Sequence, residues 1–202
     1  MPVLVRCTAR LLKRLRQPLK PPEPPPSDNP LGEWYADIDF IDREPFVVML
    51  NAATGAALAL PGRAQDLRGL HFLAGQQLFK LFVHHGFDLD QLRVAEELLA
   101  WEQPLSYAKT RDRSLLGSLR RVKEDSWIHF AHHNRSLLEA AARQWTGLFS
   151  HPSLPIHPRI RSRTHGPLDL VRARLLPVGE VVELFGRGGA GAGSSLHREK
   201  EI

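Results

Sequence analysis

One cysteine, two methionines and two tyrosines in 202 residues leave several chemistries without material. A lone Cys7 excludes an internal disulfide framework, and such cysteine usage suits a reducing cytoplasm. No apolar run reaches the ~18 residues that a membrane-spanning helix requires, so no membrane role is expected. Met1–Gln17 has basic residues but neither an uninterrupted apolar core nor a small-residue cleavage site, which argues against a secretory signal. There is no internal repeat. The Gly-Lys-Ser/Thr ending of a Walker loop is missing, as is the G-x-S-x-G elbow of serine hydrolases. Aromatic residues interleaved with basic ones, the pattern of single-strand binders, are also missing. No cofactor is expected.

What is present reads as an ordinary soluble chain, 43% hydrophobic and 24% charged, long enough to bury a real core. The net charge of +5 invites a nucleic-acid reading. Its location weakens that reading. Residues 1–22 carry six Lys/Arg and no acid, residues 23–150 are net acidic, and residues 151–202 are net basic again. A high isoelectric point made by the two ends is poorer evidence of a nucleic-acid surface than a basic face on a folded core.

Periodicity predicts the elements. Val3–Arg6 reads as a strand, and Thr8 caps a helix over Ala9–Arg16. Pro18–Pro30 holds seven prolines and reads as an exposed, polyproline-like loop or spacer. Trp34–Ile41 alternates: Trp34, Ala36, Ile38 and Phe40 face one way, Tyr35, Asp37 and Asp39 the other. Phe46–Leu50 and Ala56–Leu60 complete an antiparallel meander. Asp66 reads as the cap of a helix ended by Gly86. Asp88 reads as the cap of another, with Leu89, Leu92, Ala95, Leu98 and Leu99 on its buried side. Leu105–Lys109 reads as a strand, followed by a helix from Asp112 or Ser114 to about Phe130 and a last one over Leu137–Phe149. Val171–Phe185 can form a short hydrophobic element. Gly186–Ser195 is Gly/Ala/Ser low complexity and is expected to be disordered.

The densest chemistry lies in Thr110–Ser118, T-R-D-R-S-L-L-G-S. Asp112 or Ser114 can cap the first helical turn. Arg113 can grip a carboxylate or phosphate in a two-pronged contact, and Arg111 adds local positive charge. Free helical amides favour an anion there, and Gly117 permits close approach. Thr110 and Ser118 add hydroxyls. Two readings stay open: an anion or phosphate pocket, or a strand-to-helix corner stitched by caps and an internal Arg–Asp pair.

Other constellations have plain explanations. His129, His132 and His133 have helical spacing but lack the Glu and the completing ligands of a zinc site, so no metal is expected. His84-His85 suit a helix C-terminus that favours cations. Cys7 beside Arg6 is either activated or buried. Asp37, Asp39 and Asp42 are either acid–base or cation-binding groups or a solvated strand face.

Three segments carry a resemblance: R-C-T-x-x-L-L-K at Arg6–Lys13, L-G-E-W-Y at Leu31–Tyr35, and T-R-D-R-S-L-L-G-S at Thr110–Ser118. Together they resemble a family of small bacterial proteins known only as a domain of unknown function, over about Pro2 to Phe149. The resemblance implies a single α+β domain and no reaction, cofactor or partner. In that family R-S-L-L-G-S precedes a Met-Asn-Asp-like stretch, whereas Leu119-Arg120-Arg121 stands here.

The expected architecture is α+β, with an antiparallel or mixed sheet of about four to five strands and helices packed on one side. Residues 1–150 form the domain, including the Pro-rich loop 18–30. Residues 151–185 are a Pro/Arg-rich extension with a short element, and 186–202 a disordered tail. A chain ending near Ser150–Gly166 is expected to keep a cooperative melt. The expected function is a non-enzymatic binding or regulatory module of a bacterial cytoplasm; its partner is left open, a protein being one option and nucleic acid a weaker one. The alternatives are phosphate-ligand or nucleic-acid binding through Thr110–Ser118 and the arginines after it, and a small enzyme.

Overall fold

Alternation along Trp34–Ile41 sorts side chains to two faces of a sheet, and the fold covers both. The computed structural model describes residues 2–133, 136–147 and 166–176. In chain order the elements are β1 (Leu4–Cys7), α1 (Ala9–Arg14), β2 (Trp34–Ile41), β3 (Glu44–Asn51), β4 (Ala57–Pro61), α2 (Ala64–Arg68) and α3 (Leu70–His84). They continue with α4 (Leu92–Ala100), β5 (Ser106–Lys109), α5 (Arg113–His133), α6 (Leu137–Thr146) and α7 (Pro167–Leu175). The five strands form one mixed sheet in the order β4-β3-β2-β1-β5. β2, β3 and β4 are the expected antiparallel meander. β1 adds parallel to β2, and β5 parallel to β1.

The first face carries Val5, Cys7, Trp34, Ala36, Ile38, Val47, Met49, Leu58 and Leu60, packed with residues of α1, α3, α4, α6 and α7. The second carries Tyr35, Phe46, Val48 and Leu50 beneath Leu115, Leu119 and Val122 of α5. The sheet is therefore covered on both sides, which corrects the expectation of helices on one side. The reason is legible in β3: Phe46–Leu50 has no polar residue, so both of its faces need a cover.

The helical middle departs from its reading in three places, one being that α4 starts later than expected, with Gln91 rather than Asp88 at its N-cap. Gly69 splits the first expected helix into α2 and α3, and Asp66 is an interior residue of α2 whose carboxylate accepts the Arg63 N–H. α4 is turned relative to expectation. It buries Val94, Glu97 and Ala100, while Leu92 and Leu99 stand 70% and 58% exposed. Glu97 is drawn inward because its carboxylate accepts three hydrogen bonds, from Asn29 Nδ2 (2.7 Å), the Leu31 amide (2.8 Å) and Trp101 Nε1 (3.0 Å). Burial pushes its carboxyl above the ordinary range against the pull of those donors. The Pro-rich segment is thus pinned through Asn29 and Leu31 and does not act as a free spacer.

α7 completes the first core. Val171 and Leu175 are fully buried, Arg172 donates to the His85 carbonyl (3.0 Å), and Arg174 donates to the Pro30 carbonyl (3.1 Å). The hydrophobic element expected over Val171–Phe185 thus starts earlier, at Pro167. Its part beyond Leu176, like the tail expected over Gly186–Ser195, lies outside the described residues. Among the described residues no helix is long and apolar enough to cross a membrane.

Gly86, at φ +70°, ends α3 as expected. His85 does not serve as a cationic cap. Its ring stacks on Trp145 at 5.5 Å, and burial, with the charges of His84 and Arg172, pushes its pKa down to about 4. The folded state holds this imidazole neutral, so its contribution is complete above the unfolded value of ~6.5 and is lost as pH falls towards 4. Stability is expected to drop by about 1–2 kcal/mol between pH 7 and 5, after discounting for residual exposure. Urea titrations at both pH values should show a smaller drop for His85→Gln. Equal drops in the two proteins would refute this assignment.

Candidate functional site

β1 and β5 are parallel neighbours, and the helices that follow them go to opposite faces, α1 to the first and α5 to the second. In open sheets such a switch places a crevice at the carboxyl ends of the two strands. Thr110–Ser118 lies at this point, and the Thr110 amide donates to the Cys7 carbonyl across it (3.2 Å). Asp112 caps α5, its Oδ1 accepting the amides of Ser114 (2.7 Å) and Leu115 (3.1 Å). Two of the amides that an anion would use are thus engaged by the chain itself. Ser118 is buried and donates to the Ser114 carbonyl one turn back (3.2 Å). Arg113 and Ser114 stand exposed. Gly117 is exposed too, and a Cβ built on it meets nothing within 4 Å. Gly117→Ala is therefore expected to raise stability by about 0.5–1 kcal/mol, because it removes unfolded-state freedom from a helix interior. Thermal melts check this, and a lowered melting temperature would contradict it.

Arg111 turns away from Asp112 to two glutamates, Glu23 at 3.5 Å and Glu33 at 3.4 Å. Both belong to a network that sequence reading missed, centred on Arg6. Only 2% exposed, Arg6 donates from Nε to Glu33 (2.7 Å), from Nη2 and Nη1 to Glu23 (2.5 and 3.3 Å), and from Nη1 to the Lys109 carbonyl (3.4 Å). A cleft of about 390 Å³ opens beside it, lined by Arg6, Glu23, Pro24, Pro26, Ser27, Glu33 and Arg111. Two arginines here face two carboxylates, so the charges close among themselves. The available signal was Arg6 in a strand otherwise made of apolar residues and Cys7. A charged residue at such a position needs a buried partner.

The strand acids are also engaged. Lys123 of α5 reaches Asp37 at 2.6 Å and Asp39 at 3.1 Å, and Thr8 donates to Asp37 (2.5 Å). Burial raises Asp39, but the hydrogen bond and charge of Lys123 bring it below the usual carboxylate range. Lys123 is lowered by burial and raised further by both aspartates, so it stays charged and is no nucleophile. Burial, with the charge of Asp37, pushes the Cys7 thiol well above its ordinary value, against the activated reading. His129 and His133 lie 5.6 Å apart, centroid to centroid, and the His132 side chain lies outside the described residues. Among the described residues no three His, Cys, Asp or Glu side chains gather as a metal set.

One surface stands apart. α3 and α4 form a helical hairpin that exposes Phe72, Phe79, Val83, Leu92 and Leu99, each by 45–70%; Phe72 and Phe79 line one groove, and Leu99 lines a separate cleft with Pro2 and Pro30. Between the helices lies a groove of about 410 Å³ lined by Phe72, Gly75, Gln76, Phe79, Lys80, Leu98, Trp101 and Glu102. A Cβ on Gly75 would stand 2.9 Å from the Trp101 Cβ, so glycine is what lets the floor of the groove close. Leu92 and Leu99 are available because α4 turned Glu97 inward.

Comparison with known proteins yields no match among curated proteins or solved structures. A family profile does match, over residues 4–151, and all three resembling segments fall within it. The chain belongs to the family described as Domain of unknown function (DUF6933).

Proposed function

We propose that this protein is a non-enzymatic binding module whose working surface is the α3–α4 hairpin and whose ligand is an apolar polypeptide segment. The carrying observation is the concentration of large, exposed apolar side chains on one hairpin, around a groove. Folded chains rarely leave large apolar side chains gathered around a groove, as Phe72 and Phe79 are here, unless something docks there. Two consecutive helices with a groove between them suit the helix-in-groove mode, in which anchors at i, i+3, i+4 and i+7 enter the groove. The catalytic candidates support the same reading from the other side: Cys7 is buried, Asp37 and Asp39 are neutralised by Lys123, and Arg6 and Arg111 are closed by glutamates.

The test is a selection of short displayed peptides against the full chain. Enriched sequences should carry the apolar i, i+3, i+4, i+7 pattern and lose binding on Phe79→Glu, a change at an exposed site, while Arg113→Ala leaves it intact. The competing anion reading rests on the exposed Arg113 at the switch point. Inorganic phosphate that raises the melting temperature of the wild type and not of Arg113→Ala, with no Phe79-dependent peptide selected, would replace this proposal with that one.

A further inference from the structure

Helix α3 is apolar on two sides. Leu70, Ala74, Leu78, Leu81 and Phe82 are buried in the first core. Phe72, Gln76, Phe79 and Val83 fall at i, i+4, i+7 and i+11, so they share one stripe on the other side, and all four are exposed. A helix apolar on both sides is ordinarily covered on both. Steps of four, three and four residues are also the seam of a two-helix coiled coil, in which each helix supplies both knobs and holes. α3 thus presents the kind of helical anchor pattern that the groove beside it is suited to take.

We infer that the occupant of the α3–α4 groove is the α3 stripe of a second copy of this chain, in a two-fold pair, an inference that rests on the binding-module reading above. The polar groups at the stripe single out a copy over other apolar helices. A two-fold interface must complement itself: where residue i meets residue j, j also meets i. The groove carries one charge of each sign, the exposed Lys80 and the exposed Glu102. Among the described residues neither has an ion-pair partner. Symmetry then joins Lys80 of one copy to Glu102 of the other, twice over. Gln76 has a donor and an acceptor on one amide, so it can satisfy its own image, and a single polar residue in an apolar seam fixes the register. Size bounds the strength of the pair. The 15 residues of α3 rise about 22 Å. A face of that length and one helix wide falls short of the roughly 800 Å² per partner of a standard interface. Pairing is therefore reversible, and dilution opens the groove to an apolar peptide.

The experiment is sedimentation of the full chain from low micromolar to near-millimolar concentration. The mass is expected to rise from one chain to two and no further, and Phe79→Glu should abolish the rise. Lys80→Glu and Glu102→Lys should each weaken pairing several-fold, because each sets like charges against one another. An equimolar mixture of those two variants should recover the wild-type strength, since every contact again joins opposite signs. All three positions are exposed, and the wild-type series stands without the variants. A chain that stays monomeric throughout, assembly beyond two chains, a pair that survives Phe79→Glu, or a mixture no tighter than its components overturns this inference. If the chain stays monomeric while displayed peptides are still selected through Phe79, the binding surface stands and only its occupant is wrong. If neither the pair nor such peptides are found, the binding surface falls as well.

Discussion

A chain ending at Gly166 is expected to lose its cooperative melt, while one ending at Leu176 keeps it. The difference between the two is α7. Its Leu170, Val171 and Leu175 are 2% exposed or less, and Val171 and Leu175 belong to the core of the first face with Trp145 and Phe82. Complete burial of each is worth roughly 1.5–3 kcal/mol, so their joint loss approaches 5–8 kcal/mol. A domain of this size has a net stability of only about 5–15 kcal/mol. The shorter chain also frees the His85 and Pro30 carbonyls from Arg172 and Arg174. This replaces the expectation, drawn from the change in composition after Ser150, that a chain ending near Ser150–Gly166 folds intact. The family match ends at residue 151, so this chain closes its core with a helix from outside the matched region. Denaturation of the two chains followed by far-UV and near-UV circular dichroism decides the matter. Superimposable transitions would mean that α7 is a passenger.

Arg6→Ala should be the most damaging single substitution, at about 3–5 kcal/mol, because it removes one partner from a buried ion network. Glu33 and the Lys109 carbonyl lose their donor, and Glu23 loses the contact that holds the Pro-rich segment against β1. Arg6→Lys should restore less than half of the loss. Three acceptors in different directions match the five-donor fork of a guanidinium, and a point ammonium cannot address them together. Glu23 is the more exposed of the two carboxylates, 59% against 23%, so Glu23→Gln should cost far less. Urea midpoints give the order Glu23→Gln, Arg6→Lys, Arg6→Ala. Limited proteolysis between Lys20 and Pro30 should accelerate in the same order. An Arg6→Ala chain within 1 kcal/mol of wild type would show that the network contributes nothing net.

The sheet was largely legible because its code is local. Alternation in Trp34–Ile41 and the apolar run Phe46–Leu50 specify strands whatever lies elsewhere, and the short turns between them permit only a meander. Thr8 and Asp112 announced their helices because a cap acts within three residues. What stayed hidden depends on partners far away in sequence. Leu92 and Leu99 have the period of a buried stripe, yet Glu97 took the inside because Asn29, Leu31 and Trp101 offered it three donors. Two of those donors lie more than sixty positions upstream. The special character of Thr110–Ser118 could be read, but the course of Arg111 could not. Its glutamates stand 78 and 88 positions away. The groove was invisible for the same reason, since it exists only once α4 has turned.

Arg6, Glu33 and Arg111 come from three stretches far apart in the sequence, and they meet at a single joint between β1, β2, β5 and the Pro-rich loop. The charges gathered there make a hinge pin rather than a keyhole: they bolt the strands to the loop. The α3–α4 hairpin on the opposite face shares no residue with that joint, so its outer surface can be recut without loosening the frame.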